Sequence, residues 1–165
     1  MIQRDWNRFL YRKCKFSHGT TLLPHVPYKP FFLNIGITTR CNLLCAMCPR
    51  NDPNLQGDHE ILYEKFTRII DEMPFLKGVQ ICGLGEPFLH RDLFNMVRYV
   101  RRRGMTALVV TNGTLLTAQN IEKVFWSDLN TLHVSIDSAI PEAYESIRVG
   151  AKLDQVKTNL KQLTE

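Results

Sequence analysis

Cys41, Cys45 and Cys48 stand in one short stretch, Cys-Asn-Leu-Leu-Cys-Ala-Met-Cys, while Cys14 and Cys82 are isolated. Spacings of three and two intervening residues let a folded loop turn three sulfurs toward one compact centre. Soft thiolate donors of this kind hold zinc or iron–sulfur clusters. The number three is informative, because a structural zinc takes four protein ligands and a [4Fe–4S] cubane used for electron transfer is held by four cysteines. Three leave one metal position open, as a catalytic metal requires. A fourth ligand from Cys82, His59 or His90 would instead give a non-enzymatic zinc or iron–sulfur binding module. Five cysteines are also an odd count. That argues against a closed disulfide framework and for a reducing, cytoplasmic setting.

Other residues suited to chemistry fall at regular places along the chain. The turn Gly83-Leu84-Gly85-Glu86-Pro87 follows an apolar run at 79–82, Thr111-Asn112-Gly113 follows one at 107–110, and Ser135-Ile136-Asp137 closes one at 132–136, with Arg148 further on. The cysteine loop itself, 38 to about 57, follows the apolar run 32–37. After each run comes a stretch with helical spacing. Leu62, Phe66, Ile69, Ile70 and Met73 share one face, with Asp58 as the expected N-cap. Leu93, Met96, Val97 and Val100 share another, stopped at Gly104. A third helix, capped by Thr117, carries Ile121, Val124 and Phe125; a short one begins at Pro141, and a last one carries Leu153, Val156, Leu160 and Leu163. Four strand-then-helix units in a row predict an α/β fold with a parallel sheet and right-handed crossovers. In such folds chemistry sits at the carboxyl ends of the strands, where these motifs lie.

Cys-x3-Cys-x2-Cys after the first strand of a βα repeat resembles the radical S-adenosylmethionine (radical SAM) superfamily. The resemblance implies a [4Fe–4S] cluster on Cys41, Cys45 and Cys48, with its open iron chelated by the amino and carboxylate groups of SAM. One-electron cleavage of SAM then releases methionine and a 5′-deoxyadenosyl radical that abstracts hydrogen from substrate. Gly83-Leu84-Gly85-Glu86-Pro87 is similar to the Gly-Gly-Glu motif of that family, which implies that Gly85 and Glu86 hold the SAM amino group; Leu84 departs from the usual glycine. The same resemblance implies SAM contacts for Ser135 and Arg148, and for Asn112 at the end of the third strand. It also implies that Met47, before the last cysteine, packs near the adenine. A low-potential electron donor of flavodoxin or ferredoxin type follows from the chemistry. The Cys-Ala-Met-Cys-Pro-Arg run looks closest to the SPASM-type branch, which modifies peptides or matures cofactors, so a peptide or small-molecule substrate is expected. An RNA methyltransferase of the same superfamily is a further alternative, but it needs a methyl-carrying cysteine for which neither Cys14 nor Cys82 is well placed.

The family core is a partial (β/α)6 TIM-like barrel, and residues 31–165 supply about four of its units. That leads to the expectation of a core incomplete at its C-terminal side, with the fourth strand lacking a neighbour. The 165 residues carry a net charge of +5, but residues 1–50 hold +7 and the remainder −2. The basicity is a leader at 1–30, in which Arg4, Arg8, Arg12, Lys13 and Lys15 alternate with aromatics. Nucleic acid is therefore not an expected partner of the core. Asn34, Thr38, Thr39 and Arg40 break the longest apolar run, so no membrane span is expected.

Overall fold

A computed structural model describes residues 29–52, 54 and 57–165, so the expectations for the basic leader and Cys14 lie outside the described residues. Four strands, β1 (Phe32–Ile35), β2 (Gly78–Ile81), β3 (Thr106–Thr111) and β4 (Thr131–Val134), form one sheet in the order β1-β2-β3-β4. Every neighbouring pair is parallel. Among the described residues, five α-helices accompany them: α1 (Tyr63–Asp71), α2 (Leu93–Arg102), α3 (Ala118–Trp126), α4 (Pro141–Ile147) and α5 (Leu153–Thr164). Strand order that follows chain order, with crossovers of one hand, places successive helices on the same side of the sheet. This is the predicted α/β repeat of four parallel βα units.

The helices form where their apolar spacing demands it. Phe66 and Ile70, one turn apart on α1, are fully buried, as are Leu93, Met96, Val97 and Val100 on α2. They meet Val79 and Ile81 of β2 and Ala107 and Val109 of β3 in one aliphatic core. Burying each such large side chain stabilises the fold by roughly 1.5–3 kcal/mol. The opposite side of the sheet is more polar. The register sets Asn34, Gln80, Leu108 and Thr131 in one row across it, with His133 beside Val110.

Several expected boundaries shift for identifiable reasons. The first strand ends at Ile35 rather than at 37. Residues 37–39 instead pair with 59–61: Ile61 N–H donates to Ile37 O and Thr39 N–H to His59 O, both at 2.9 Å, and Thr38 bridges Glu60 antiparallel. That extended segment delays α1, so its N-cap is Leu62 and not Asp58, and no side chain caps it. Thr117 does cap α3, its hydroxyl accepting from Asn120 N at 3.3 Å. Gly104, at φ +71°, ends α2 as expected. Cys82 lies one residue beyond β2 and is half-buried, rather than within a buried strand. Among the described residues, no helix is long and apolar enough to cross a membrane.

Candidate functional site

The loop from 36 to 52 is shaped by bonds to the turns after β2 and β3 and to the end of α4. At its start, Arg40 donates through Nη2 to Glu60 and to Leu89 O (3.1 Å), and its own carbonyl accepts from Glu86 N at 2.7 Å. Gly85 is needed for that approach: a Cβ there would fall 2.6 Å from Arg40 O and closer still to Thr38 O. The glycine expected to serve a ligand thus first serves the seating of the cysteine loop on the β2 turn. Further along, Leu44 N–H donates to Val149 O and Ala46 N–H to Ile147 O, both at 2.9 Å. These two bonds hold Cys45 alongside residue 148. At the end of the loop, Asn51 Nδ2 donates to Cys45 O (2.8 Å) and Arg50 Nε to Thr39 O (2.6 Å). Proline at 49 opens a short 3-10 turn, Pro49–Asn51, directly after Cys48.

Three free thiols result from this folding, with Cys45 buried and Cys41 and Cys48 half-buried. They pack with Leu43, Tyr144, Ala151, Leu153 and Val156 in a second core, distinct from that under α1 and α2. Burial pushes the Cys41 thiol up, and the charges of Glu86 and Cys45 add to this. The Leu43 N–H bond and Arg50 pull the other way. Arg148 lies with Nη1 3.9 Å from Cys45 Sγ and pairs through Nε with Asp137. Its charged form is held against burial by the Asp137 hydrogen bond and charge.

Glu86, only 2% exposed, is the hub of the site. Its carboxylate accepts from Thr111 Oγ1 (2.7 Å), Asn112 N (2.8 Å) and Phe88 N (3.2 Å). Those bonds knit the end of β2 to the end of β3 and use about three of a carboxylate's four acceptor sites. Burial pushes the Glu86 carboxyl up, while the three bonds and the Arg148 charge oppose it.

Asn112 is likewise buried, and its side chain is engaged within the protein. Nδ2 donates to Asn42 Oδ1 (2.9 Å), and Oδ1 accepts from Thr114 N (2.9 Å) and Thr114 Oγ1 (2.6 Å). Asn42 closes the ring by donating to Thr114 Oγ1 at 2.8 Å. Asn112 therefore ties the cysteine loop to the β3 end. Ser135, partly buried, extends the β3–β4 ladder by donating its backbone N–H to Thr111 O at 2.9 Å. Met47 is 55% exposed and Leu84 is 40% exposed, which leaves both side chains open to a partner or ligand.

Sequence reasoning missed Asn42 and Tyr144, and it named Thr111 in the motif at the end of the third strand without a role of its own. Asn42 carried a usable signal, a polar residue between two cysteines of a metal-type triplet. Tyr144 reads from its spacing as an ordinary core aromatic. It is fully buried, yet its hydroxyl has no hydrogen-bond partner among the described residues. Burial pushes its phenol up, and it lies near enough to Arg148, Cys45 and Asp137 for their charges to act on it. Of the fourth zinc ligands considered, His90 is committed: Nε2 is 3.0 Å from Ile61 O and Nδ1 accepts from Asp92 N at 3.1 Å.

The donor set fits a soft group with several metal atoms better than a single ion. Among the described residues, no group of three or more His, Cys, Asp or Glu side chains is gathered closely enough to hold one metal ion. A cubane asks something different of its ligands, since each cysteine binds a different iron and the sulfurs need not meet at a point. Three unpaired thiols, apolar walls of Leu43 and Val156, and one orphaned buried hydroxyl beside them suit such a cluster.

The family model for the Radical SAM superfamily matches residues 35–165. The chain is 34% identical over 123 residues to the tungsten-containing aldehyde ferredoxin oxidoreductase cofactor-modifying protein of Pyrococcus furiosus, covering 72% of this chain and 34% of that protein. It is 33% identical over 113 residues to the AdoMet-dependent heme synthase of Methanosarcina barkeri, covering 68% of this chain and 32% of the relative. The chain thus spans about a third of the length of these curated relatives. Among solved structures, Streptococcus suis SuiB bound to the precursor peptide SuiA superposes with a TM-score of 0.67 at 20% identity, over 81% of this chain and 30% of that one. At that identity the likeness is one of fold.

Proposed function

We propose, from the premise that this chain belongs to the radical SAM superfamily, that Cys41, Cys45 and Cys48 hold a [4Fe–4S] cluster and that the surrounding strand ends hold S-adenosylmethionine. So loaded, the site would supply one-electron reductive cleavage of SAM and, through the 5′-deoxyadenosyl radical, hydrogen abstraction from a substrate. The observation that carries this reading is the pair of backbone bonds from Leu44 and Ala46 to Val149 and Ile147, which sets Arg148 against Cys45. A guanidinium beside an open metal position suits a carboxylate, which it can bind with two parallel bonds. Arg148 is already oriented by Asp137. Glu86, with one acceptor site left, supplies negative charge for an ammonium near Cys41 and fixes the β3 end from which Asn112 reaches the loop. Gly85 lets the β2 turn approach the loop, Met47 offers an exposed thioether as an adenine contact, and Ser135 offers a hydroxyl at the end of β4.

The substrate class we favour is a cofactor precursor or a peptide. Two curated relatives support the first, being named as a cofactor-modifying protein and as a heme synthase. The solved neighbour bound to a precursor peptide supports the second through fold alone. The Cys-Ala-Met-Cys-Pro-Arg run supports a SPASM-type affiliation. A low-potential flavodoxin or ferredoxin would deliver the electron, and the four free thiols of the described residues suit a reducing cytoplasm.

Anaerobic reconstitution with iron and sulfide, followed by SAM and dithionite, tests the proposal. The expected product is 5′-deoxyadenosine from the wild-type chain and none from Cys45→Ser. Iron and sulfide uptake without SAM cleavage would reduce the reading to a cluster-binding module. A colourless chain holding one zinc would overturn it.

A further inference from the structure

Among the described residues, two buried side-chain polar atoms lack a hydrogen-bond partner, Arg40 Nε and the Tyr144 hydroxyl. The first belongs to a guanidinium that is otherwise bonded to Glu60 and Leu89. The second is the whole polar content of its side chain, sealed at 0% exposure. A phenylalanine would fill the same space without burying a hydroxyl. The side chains of that core are Leu43, Ala151, Leu153, Val156, Val134 and Leu160, with the three cysteines. Within this group the sulfurs alone can accept a hydrogen bond. Of the three charged side chains that act on the phenol along with Cys45, Arg148 has no acceptor, Asp137 holds Arg148 through Oδ2 and Glu145 holds Lys152 through Oε2.

We infer that Tyr144 is a hydrogen-bond donor to a sulfide of the loaded site, in the core that it shares with Cys45. The inference rests on the cluster reading above. A protonated thiol is a weak acceptor, whereas a metal-bound thiolate or sulfide carries the charge that a phenol seeks. As the chain stands, no cysteine sulfur of the described residues is in hydrogen-bonding geometry with the hydroxyl, so the acceptor would arrive with the cluster. A donor aimed at cluster sulfur stabilises the more negative, reduced state and so raises the reduction potential. Tyr144 would thus set how strong a reductant the site requires, a role separate from binding SAM.

The test compares midpoint potentials of reconstituted wild type, Tyr144→Phe and a chain with 3-fluorotyrosine placed at 144. Removing the hydroxyl is expected to lower the potential, and the more acidic fluorinated phenol to raise it. Before loading, Tyr144→Phe is expected to melt no lower than wild type, because the lost hydroxyl had no partner. Equal potentials in wild type and Tyr144→Phe overturn the inference while leaving the cluster reading intact. So does a lower melting temperature of the unloaded variant, which would mean that the hydroxyl is already bonded. A wild-type chain that takes up no iron and sulfide overturns the cluster reading and this inference with it.

Discussion

The two cores of this chain are built on opposite principles. The one beneath α1 and α2 is apolar throughout and mainly aliphatic, with Phe66, Ile70, Met96 and Val100 at 0% exposure and no buried group that needs a partner. The one around Cys45 joins a loop to α4 and α5, carries three thiols and an orphaned hydroxyl, and is fastened by a polar ring of Asn42, Asn112 and Thr114. The first is complete as it stands, and it fixes the sheet. The second is satisfied only in part by its own atoms. The difference teaches a division of labour: the aliphatic core sets the positions of the strand ends, and the thiol core is where the cluster is proposed to bind.

Substitutions should separate the two. The largest effect is expected from Phe66→Ala, about 3–5 kcal/mol of lost stability from the cavity it leaves in the aliphatic core. Measured by chemical denaturation, that loss should be the same with or without iron and sulfide in the folded fraction. Glu86→Ala should cost about 3 kcal/mol, because it strands the buried Asn112 N–H and Thr111 hydroxyl together with Phe88 N–H. Unlike Phe66→Ala, it should also weaken SAM binding, read by titration of the loaded chain. Asn42→Ala is expected to cost about 1–2 kcal/mol and to lower the iron bound per chain, since it frees the loop from β3. Iron content equal to wild type would show that the polar ring is only structural.

The smallest effect is on pH dependence. The folded chain holds the Glu86 proton more tightly than the unfolded chain, whose carboxyl has the ordinary value of 4.5. Stability from this group is therefore present in acid and is lost as pH rises from about 4.5 through the higher folded value. Subtracting the stability profile of Glu86→Gln from that of wild type should leave a difference that falls with rising pH over that window. A difference that rises would mean that the hydrogen bonds outweigh burial.

The aliphatic core was largely legible in the sequence, and the thiol core was legible only in its chemistry. Leu93, Met96, Val97 and Val100 follow helical spacing so strictly that α2 and its buried face could be read directly. The parallel order followed from the alternation of strands and helices, and the cysteine triplet from its spacing. What escaped was contact made by partners far apart in sequence. Nothing local marks Asn42 as the partner of Asn112, 70 residues away, or Tyr144 as a neighbour of Cys45. The start of α1 was misplaced for the same reason, since Asp58 suits a cap but residues 59–61 are claimed by the cysteine loop. Gly85 illustrates a milder case. The residue was singled out for a ligand, and its immediate neighbour is the backbone of Thr38 and Arg40.

The central claim is that Cys41, Cys45 and Cys48 form an incomplete ligand set for a cubane with one open iron. Its most direct test is iron and sulfide analysis of the anaerobically reconstituted wild-type chain, with the EPR spectrum of the reduced form recorded with and without SAM. About four irons and four sulfides per chain, with a spectrum that changes on SAM addition, is the result this account predicts. One zinc per chain, or an iron–sulfur spectrum indifferent to SAM, would contradict it.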